Sequence, residues 1–294
     1  MHNDDQNKQP APRVNPQPTR RTNQKPTPTR RDYLREHLRE VPAFRALVRS
    51  VECRLFEEAG RLEAPVLDIG CGDGHFAATA FTEPLFAGID PDARLIDEAR
   101  TRGAHQHLVA ASATAIPFPD HSFNTVVANC VIEHIPDLHT TLREIFRVLR
   151  PGGRFLFGVP SHRFGEMLLV STLLHSLKLT RLSRAYGDWF NGHSLHFHTY
   201  DPPTWFQHLD RHGFRVEHWE YYLTPAAHRA FDVAHYLSVP RLVTRKLTGK
   251  WVAMPNPITT RLYEKWLRRH YERRPAMPDE EGPYIFFHAR KIHD

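Results

Sequence analysis

No apolar run in this 294-residue sequence approaches the ~20 residues a membrane-spanning helix needs. The longest candidate, Met167 to Leu174, is short and flanked by polar residues. The opening residues, MHNDDQNKQPAPR, have no apolar core and do not read as a secretory signal. Cysteine is scarce: Cys53, Cys71 and Cys130 lie far apart and show no metal-ligand spacing, so reduced thiols in a cytoplasmic protein are the expectation. Sizeable aliphatics are missing from the first 31 residues, Val14 excepted, while Pro, Gln, Asn, Thr and Arg abound. Such a segment cannot bury enough apolar surface to offset the entropy of ordering and is expected to be a disordered basic tail.

The formal net charge of +6 is unevenly spread. Residues 1–31 carry +5 and Thr224 to Pro275 carry +8, which leaves −7 for the remainder. An acidic body with two basic segments does not resemble a uniformly basic nucleic-acid binder, and no nucleic-acid partner is expected. Solvated helix faces are the plain reading of the Arg241 to Lys246 and Arg261 to Arg274 runs. The sharper reading is that they draw an anionic acceptor or a phospholipid surface, giving peripheral membrane contact.

From Tyr33 the pattern is helical, with Phe44, Leu47, Val48, Val51 and Leu55 on one face. Strands and helices then alternate. Strands are expected at Ala64 to Ile69, Leu85 to Ile89, His107 to Ala110, Phe123 to Cys130 and Arg154 to Val159. Helices are expected from Gly74, at Asp92 to Arg102 and at Leu138 to Leu149. This alternation argues for a parallel sheet covered on both faces. Two later strands, Phe214 to Leu223 and Tyr284 to Ile292, bring the number to seven. The fold class expected is α/β, a Rossmann-like three-layer sandwich with a mostly parallel seven-stranded sheet. Helical insertions follow the fifth and sixth strands, at about 161–200 and 224–283, near the end of the sheet where an acceptor pocket is assembled. Residues 32–294 are expected to form one domain.

The decisive stretch is Val66-Leu67-Asp68-Ile69-Gly70-Cys71-Gly72-Asp73-Gly74-His75-Phe76, a strand running through a glycine-rich turn into a helix. The glycines reach φ angles other residues avoid and let the backbone approach a ligand. Asp90 ends the second strand, where a carboxylate can accept both hydroxyls of a ribose. A nicotinamide oxidoreductase uses the same ribose logic, but with G-x-G-x-x-G. Here the spacing is G-x-G-x-G, His75 stands where the third glycine belongs, and Asp68 suits a cationic amino group better than a phosphate.

These residues resemble the first motif of class I methyltransferases dependent on S-adenosylmethionine (SAM). Gly88-Ile89-Asp90 resembles the acidic second motif, and Ile116-Pro117-Phe118-Pro119-Asp120 with Phe123 to Cys130 the segment through the fourth strand. Val131-Ile132-Glu133-His134-Ile135 is similar to the loop after it in quinone-biosynthesis methyltransferases. Leu149-Arg150-Pro151-Gly152-Gly153 resembles the turn into the fifth strand. The resemblance covers about a third of the chain and implies SAM as cofactor. It implies that Asp68 helps hold the amino-acid end of SAM, with Gly70, Cys71 and Gly72 lining the cofactor. It also implies that Asp90 takes the ribose hydroxyls, that Pro91 and Asp92 border the adenine, and that Asn129 and Cys130 offer backbone near the methionine moiety. Two positions depart from the pattern. Ser112, before Ala113, replaces an acidic residue that bonds the adenine amino group, which implies weaker contact there. Asn124 replaces an Asp, keeping the shape and losing the charge.

His134 is the candidate catalytic residue, able to orient an acceptor or take its proton; packing of its loop is the alternative. His193, His196 and His198 form an H-x-x-H-x-H that, in a chain with 21 histidines, is not read as a metal site. His208 and His212 share a helix face and read as surface residues. Met167 to Leu174 reads as a helical lid, with lipid contact as the alternative; Tyr186, Trp189 and Phe190 shape a pocket or pack the core.

These observations favour a SAM-dependent transferase acting on a small-molecule or lipid-linked acceptor. O-methylation is loosely favoured because Asn129-Cys130-Val131-Ile132 stands where methylation of base or amide nitrogen uses an N-P-P-Y-type motif. The alternative is a SAM-fold binding or adaptor protein without turnover.

Overall fold

The structure, a computed structural model, describes residues 31–238, 256–275 and 280–292. The basic tail up to residue 30 and the Arg241 to Lys246 run lie outside the described residues. The chain opens with α1 (Tyr33–Glu40) and α2 (Ala43–Glu58), separated at Pro42, which carries no N–H to continue a helix. The alternating region follows: β1 (Val66–Ile69), α3 (His75–Ala80), β2 (Leu85–Asp90), α4 (Ala93–Arg100), β3 (His105–Ala110), β4 (Phe123–Asn129), α5 (Leu138–Val148) and β5 (Leu149–Pro160). Three helices, α6 (Leu169–Ser176), α7 (Thr180–His193) and α8 (Pro202–Arg211), precede β6 (Phe214–Tyr222). Then come α9 (Pro225–Leu237), α10 (Pro257–Glu272) and β7 (Tyr284–Lys291).

Local sequence sets many of these boundaries. Asp201, Thr224 and Asn256 each cap a helix with a side-chain oxygen, and proline stands in the first turn of all three. In α5 the apolar residues Leu138, Leu142, Ile145 and Val148 recur at three- and four-residue steps and are buried. The expected Arg154 to Val159 strand begins earlier, at Leu149, because Leu149 already pairs with Phe123; the register then shifts across the Pro-Gly-Gly segment, where Gly152 takes φ +74°, before Arg154 pairs with Thr125.

The seven strands lie in the order β3-β2-β1-β4-β5-β7-β6. All neighbouring pairs are parallel except those of β7, which runs antiparallel to both β5 and β6. One apolar cluster joins α1, α2, α9 and α10 to one face of the sheet, and a second packs α5 and α8 against the other. The expected three-layer sandwich is the one observed.

Strand order reverses direction between β1 and β4, so a crevice opens at their carboxyl ends, the usual ligand site of open α/β sheets. The segments after β5 and β6 emerge at this same edge, and both supply walls to the cavity described next. No helix among the described residues is long and apolar enough to cross a membrane.

Candidate active site

Two cavities meet at the crevice. The first, about 190 Å³, is lined by Arg45, Arg49, Asp68, Gly70, Gly72 and Asn129 among others. Its floor is the glycine turn after β1. The Gly70 and Cys71 N–H groups both donate to the Ile89 carbonyl, at 2.8 and 3.0 Å, fastening the turn to the end of β2. Gly72, at φ +54°, has no heavy atom within 4 Å of where a Cβ would stand, so its missing side chain leaves open space in the cleft. Asp90 accepts the Gly72 N–H at 3.1 Å and the Asp92 N–H at 2.9 Å, which fixes its carboxylate at the rim. Each oxygen retains a lone pair for a hydroxyl donor.

Asp68, expected at the amino end of the cofactor, lies on this wall but is held by a partner invisible in the sequence. His105 on β3 donates to its carboxylate at 2.9 Å. The contact passes over Gly88, where a Cβ would come within 2.8 Å of the His105 ring. Glycine at that position is therefore what lets β3 reach β1 across β2.

The second cavity, about 350 Å³, adjoins the first through Arg45 and Arg49, which line both. Its walls come from α2, from the turn after β4 (Cys130, Glu133, His134), and from the insertions (His193, His196, His235). Beneath it lies Glu52, fully buried, whose carboxylate accepts from Asn129 Nδ2 (2.7 Å), Tyr222 Oη (2.9 Å), Cys130 Sγ (3.1 Å) and Arg49 Nη1 (3.1 Å). Arg49 also donates to the Asn129 carbonyl oxygen at 2.9 Å. Burial opposes the charge of Arg49, yet the Glu52 carboxylate holds its pKa above the ordinary value.

Glu133 is buried, and that burial lifts its carboxyl to about 8. His134 keeps its Nδ1 on the Leu195 carbonyl at 3.1 Å; burial lowers its pKa despite this bond, so the imidazole is neutral at pH 7. His196, on the opposite wall, is lowered to about 4 by burial and by the neighbouring His134 ring.

Of the expected site residues, Asp68, Gly70, Cys71, Gly72 and Asn129 line the smaller cavity, and Cys130 and His134 the larger. Asp90 adjoins the smaller through Gly72, with Pro91 next to it. Ser112 and Ala113 do not line either cavity: Ala113 is buried, and the exposed Ser112 hydroxyl bonds that of Thr114 at 2.8 Å. Asn124 stands at the opposite end of β4, bonded to the Ala64 carbonyl and to Arg150, so its lost charge concerns the sheet edge and not the cofactor. The three histidines of H-x-x-H-x-H do not converge. His193 stacks on Trp189, and His198 commits both nitrogens, to the Ile135 carbonyl and to the Tyr200 hydroxyl. Arg45, Arg49 and Glu52 were the residues overlooked. Their spacing at positions i, i+4 and i+7 places them on one stripe of α2 and is the signal available for them.

A family model described as "Methyltransferase domain" matches residues 67–157, the segment from β1 to β5 that builds the smaller cavity. That segment is similar to a methyltransferase domain, in keeping with the resemblance its motifs carry. Among curated relatives, a probable S-adenosylmethionine-dependent methyltransferase of Mycolicibacterium smegmatis is 37% identical over 97 residues, 33% of this chain and 38% of that protein. The chain spans only 35–38% of the length of such relatives. A SAM-dependent methyltransferase from Thermotoga maritima shares the fold, with a TM-score of 0.50 and 16% identity over 85% of this chain and 91% of the other. So does the [4+2]-cyclase SpnF, at a TM-score of 0.51 and 18% identity over 83% and 82%. That a cyclase carries the methyltransferase fold means that chemistry has to be argued from the site.

The residues present fit SAM. The open space over Gly72 would admit the ligand, Asp90 would accept ribose hydroxyls, and Asp68 with Arg45 and Arg49, all lining the smaller cavity, would offer a carboxylate and guanidinium groups to the zwitterionic methionine end. The buried Asn129 Oδ1, which has no hydrogen-bond partner among the described residues, adds an acceptor at the same cavity.

Proposed function

We propose that this protein transfers the methyl group of SAM to a hydroxyl oxygen of a small-molecule or lipid-linked acceptor held in the larger cavity. The observation that carries this reading is the adjacency of the two cavities across Arg45, Arg49 and the Asn129-Cys130 strand end. SAM, when bound, supplies an electrophilic sulfonium methyl. Asp68 and the α2 arginines hold its polar end, and Asp90 fixes its ribose. An acceptor in the larger cavity then lies across that shared wall, and orientation of this kind supplies much of a transfer rate. His134, neutral and with Nδ1 already engaged, is left with Nε2 to take the acceptor's proton. Two arginines on the wall favour an acceptor carrying a phosphate or carboxylate.

The surface around the insertions supports a lipid-linked acceptor. Leu173, Leu177, Leu182 and Trp189, on or beside α6 and α7, are all more than half exposed, and α7 ends at the cavity wall in His193. On α10, Ile258 and Leu262 are also exposed, next to the basic Arg261 and Lys265. Apolar side chains beside basic ones are the composition of a surface that rests on anionic lipid.

Calorimetric titration with SAM, S-adenosylhomocysteine and NAD tests the cofactor half. Both adenosyl ligands are expected to bind and NAD not; Asp90→Ala is expected to weaken SAM by about 1.5–3 kcal/mol, the loss of charge-assisted hydrogen bonds. A folded Asp90→Ala protein with unchanged SAM affinity would remove the ribose assignment. Transfer of radiolabelled methyl to hydroxylated acceptors, soluble and vesicle-borne in parallel, tests the acceptor half. Labelling on nitrogen alone would overturn O-methylation.

A further inference from the structure

One group of side chains in the larger cavity has no task in binding SAM. A carboxylate oxygen of Glu133 and one ring nitrogen each of His134 and His196 lie within 4.8 Å of one another. Around them the structure is built to hold these groups in place. His134 Nδ1 is bonded to the Leu195 carbonyl (3.1 Å) and His196 Nδ1 to Asn191 Oδ1 (3.1 Å). An acceptor oxygen at Nδ1 selects the tautomer with hydrogen there and leaves the Nε2 lone pair on each ring. This is the arrangement by which metal-ligating histidines are oriented. Leu195 takes a left-handed backbone conformation, φ +56°, as it presents its carbonyl, and the Phe197 N–H donates to the Glu133 carbonyl at 2.8 Å. The 194–197 segment is thereby fastened to the 133–134 turn. Independently, Glu133, only 1% exposed, brings Oε1 to 3.7 Å from His134 Nε2, and its buried Oε2 has no hydrogen-bond partner among the described residues. A buried carboxylate oxygen without a donor is costly unless something else satisfies it.

We propose that Glu133, His134 and His196 bind a divalent transition-metal ion, with its remaining coordination positions open to the acceptor cavity. Two imidazoles and one carboxylate are a borderline donor set, suited to zinc, cobalt or ferrous iron and poorly suited to calcium or magnesium. Ligands at bond lengths of ~2.0–2.1 Å around a tetrahedral ion stand roughly 3.3 Å apart, so atoms now no more than 4.8 Å apart close by at most about 1.5 Å on binding, and the Glu133 Oε1–His134 Nε2 pair starts at 3.7 Å. The half-exposed His134 ring can supply that movement. Three protein ligands leave a position for a substrate oxygen, the pattern of reactive rather than structural metal sites. If the acceptor reading above holds, the ion would ligate the acceptor oxygen, whose proton would pass to solvent water, and His134 would serve as ligand in place of proton acceptor. The metal site itself does not depend on that reading.

The test is titration of the full-length, chelator-treated protein with Co²⁺, read by visible d–d absorption and by calorimetry. One equivalent is expected to bind, with Zn²⁺ displacing it. His196→Ala and Glu133→Gln are each expected to lower the affinity more than ~100-fold, beyond the ~10–100-fold that loss of an outer-shell partner typically costs. The double variant His139→Ala/His212→Ala, which removes a histidine pair elsewhere on the surface, leaves it unchanged. Circular dichroism establishes that each variant is folded. SAM titrations on the same samples separate the two claims, because failure to bind SAM sinks the cofactor reading and leaves the cobalt result standing. Absence of the d–d band at stoichiometric Co²⁺ overturns the proposal. So does binding that survives His196→Ala undiminished, which would mean that other histidines of the chain hold the ion.

Discussion

Arg49 and Glu52, neighbours on α2, meet at 3.1 Å where the two cavities adjoin, with the Glu52 side chain wholly buried and that of Arg49 a quarter exposed. Arg49 reaches the Asn129 carbonyl from one side, while Glu52 gathers Asn129, Cys130 and Tyr222 from the other. The end of β4 is thereby located by α2 and not by the sheet alone.

Glu52→Ala is expected to destabilise the protein by about 3 kcal/mol in denaturant titration. Breaking a buried ion pair typically costs 3–5 kcal/mol because a charge is left unpaired, and partial access of Arg49 to water places this case at the lower end. The double variant Arg49→Met/Glu52→Leu leaves no orphaned charge and is expected to lose less than the single one. Equal losses would mean that the pair contributes nothing beyond packing.

The sheet was legible because its signals are local: apolar runs of strand length, glycine and proline punctuation, and the 3.6-residue rhythm of α5. The glycine turn and Asp90 were legible for the same reason, since each sits within a few residues of its motif. Glu52 was not. Its partners lie 77, 78 and 170 residues away, and a glutamate on an amphipathic helix gives no sign that it is buried. The Asp68–His105 bond was hidden likewise, since it needs β2 to lie between its two strands. Of the histidine motif, His193 and His196 both line the cavity but only His196 comes together with Glu133 and His134; sequence spacing alone could not place a partner 62 or 63 residues distant.

Gly70 and Gly72 are expected to fail in different ways when changed to alanine. At Gly70 a Cβ would stand 2.5 Å from both Val131 methyl carbons, at φ +68°. Overpacking of about 1–3 kcal/mol adds to a left-handed backbone cost of about 1–2 kcal/mol, so melting temperature falls. At Gly72 no atom obstructs the new methyl, and the backbone cost stands alone. The methyl instead enters the space a cofactor fills, so SAM affinity is expected to fall more than stability. Melting curves with and without SAM check both. A Gly72→Ala protein stabilised by SAM as fully as the parent would place the cofactor elsewhere.

Acid is expected to unfold this protein partly through His228. The ring is fully buried against Phe164 and Phe231, with Nε2 on the Phe164 carbonyl at 3.0 Å. Burial lowers its pKa from 6.5 to about 3. Between these values the unfolded chain binds a proton that the folded one does not, so stability falls as pH drops from 6.5 towards 3. The integrated effect is on the order of a few kcal/mol. His228→Gln, which keeps a donor for the Phe164 carbonyl, is expected to flatten the decline of melting temperature between pH 6.5 and 4. An unchanged slope would transfer the effect to other buried histidines such as His37.

The three thiols should resist modification in the native protein. Burial raises the pKa of Cys53, of Cys71 and of Cys130, and nearby carboxylates add to it: Glu52 for Cys53 and Cys130, Asp68 for Cys71. Thiolate is the reactive form, so raising the pKa and burying the sulfur act in the same direction. With a chromogenic disulfide reagent at pH 8, reaction is expected to be slow in buffer and to reach three equivalents in denaturant. One thiol, Cys130, lines the acceptor cavity and is held by Glu52 and Tyr222. Glu52→Ala removes both a hydrogen-bond acceptor and a repelling charge beside that sulfur, so its labelling is expected to accelerate selectively. Acceleration at Cys53 and Cys71 as well would mean that the variant loosens the fold as a whole and not the cavity wall.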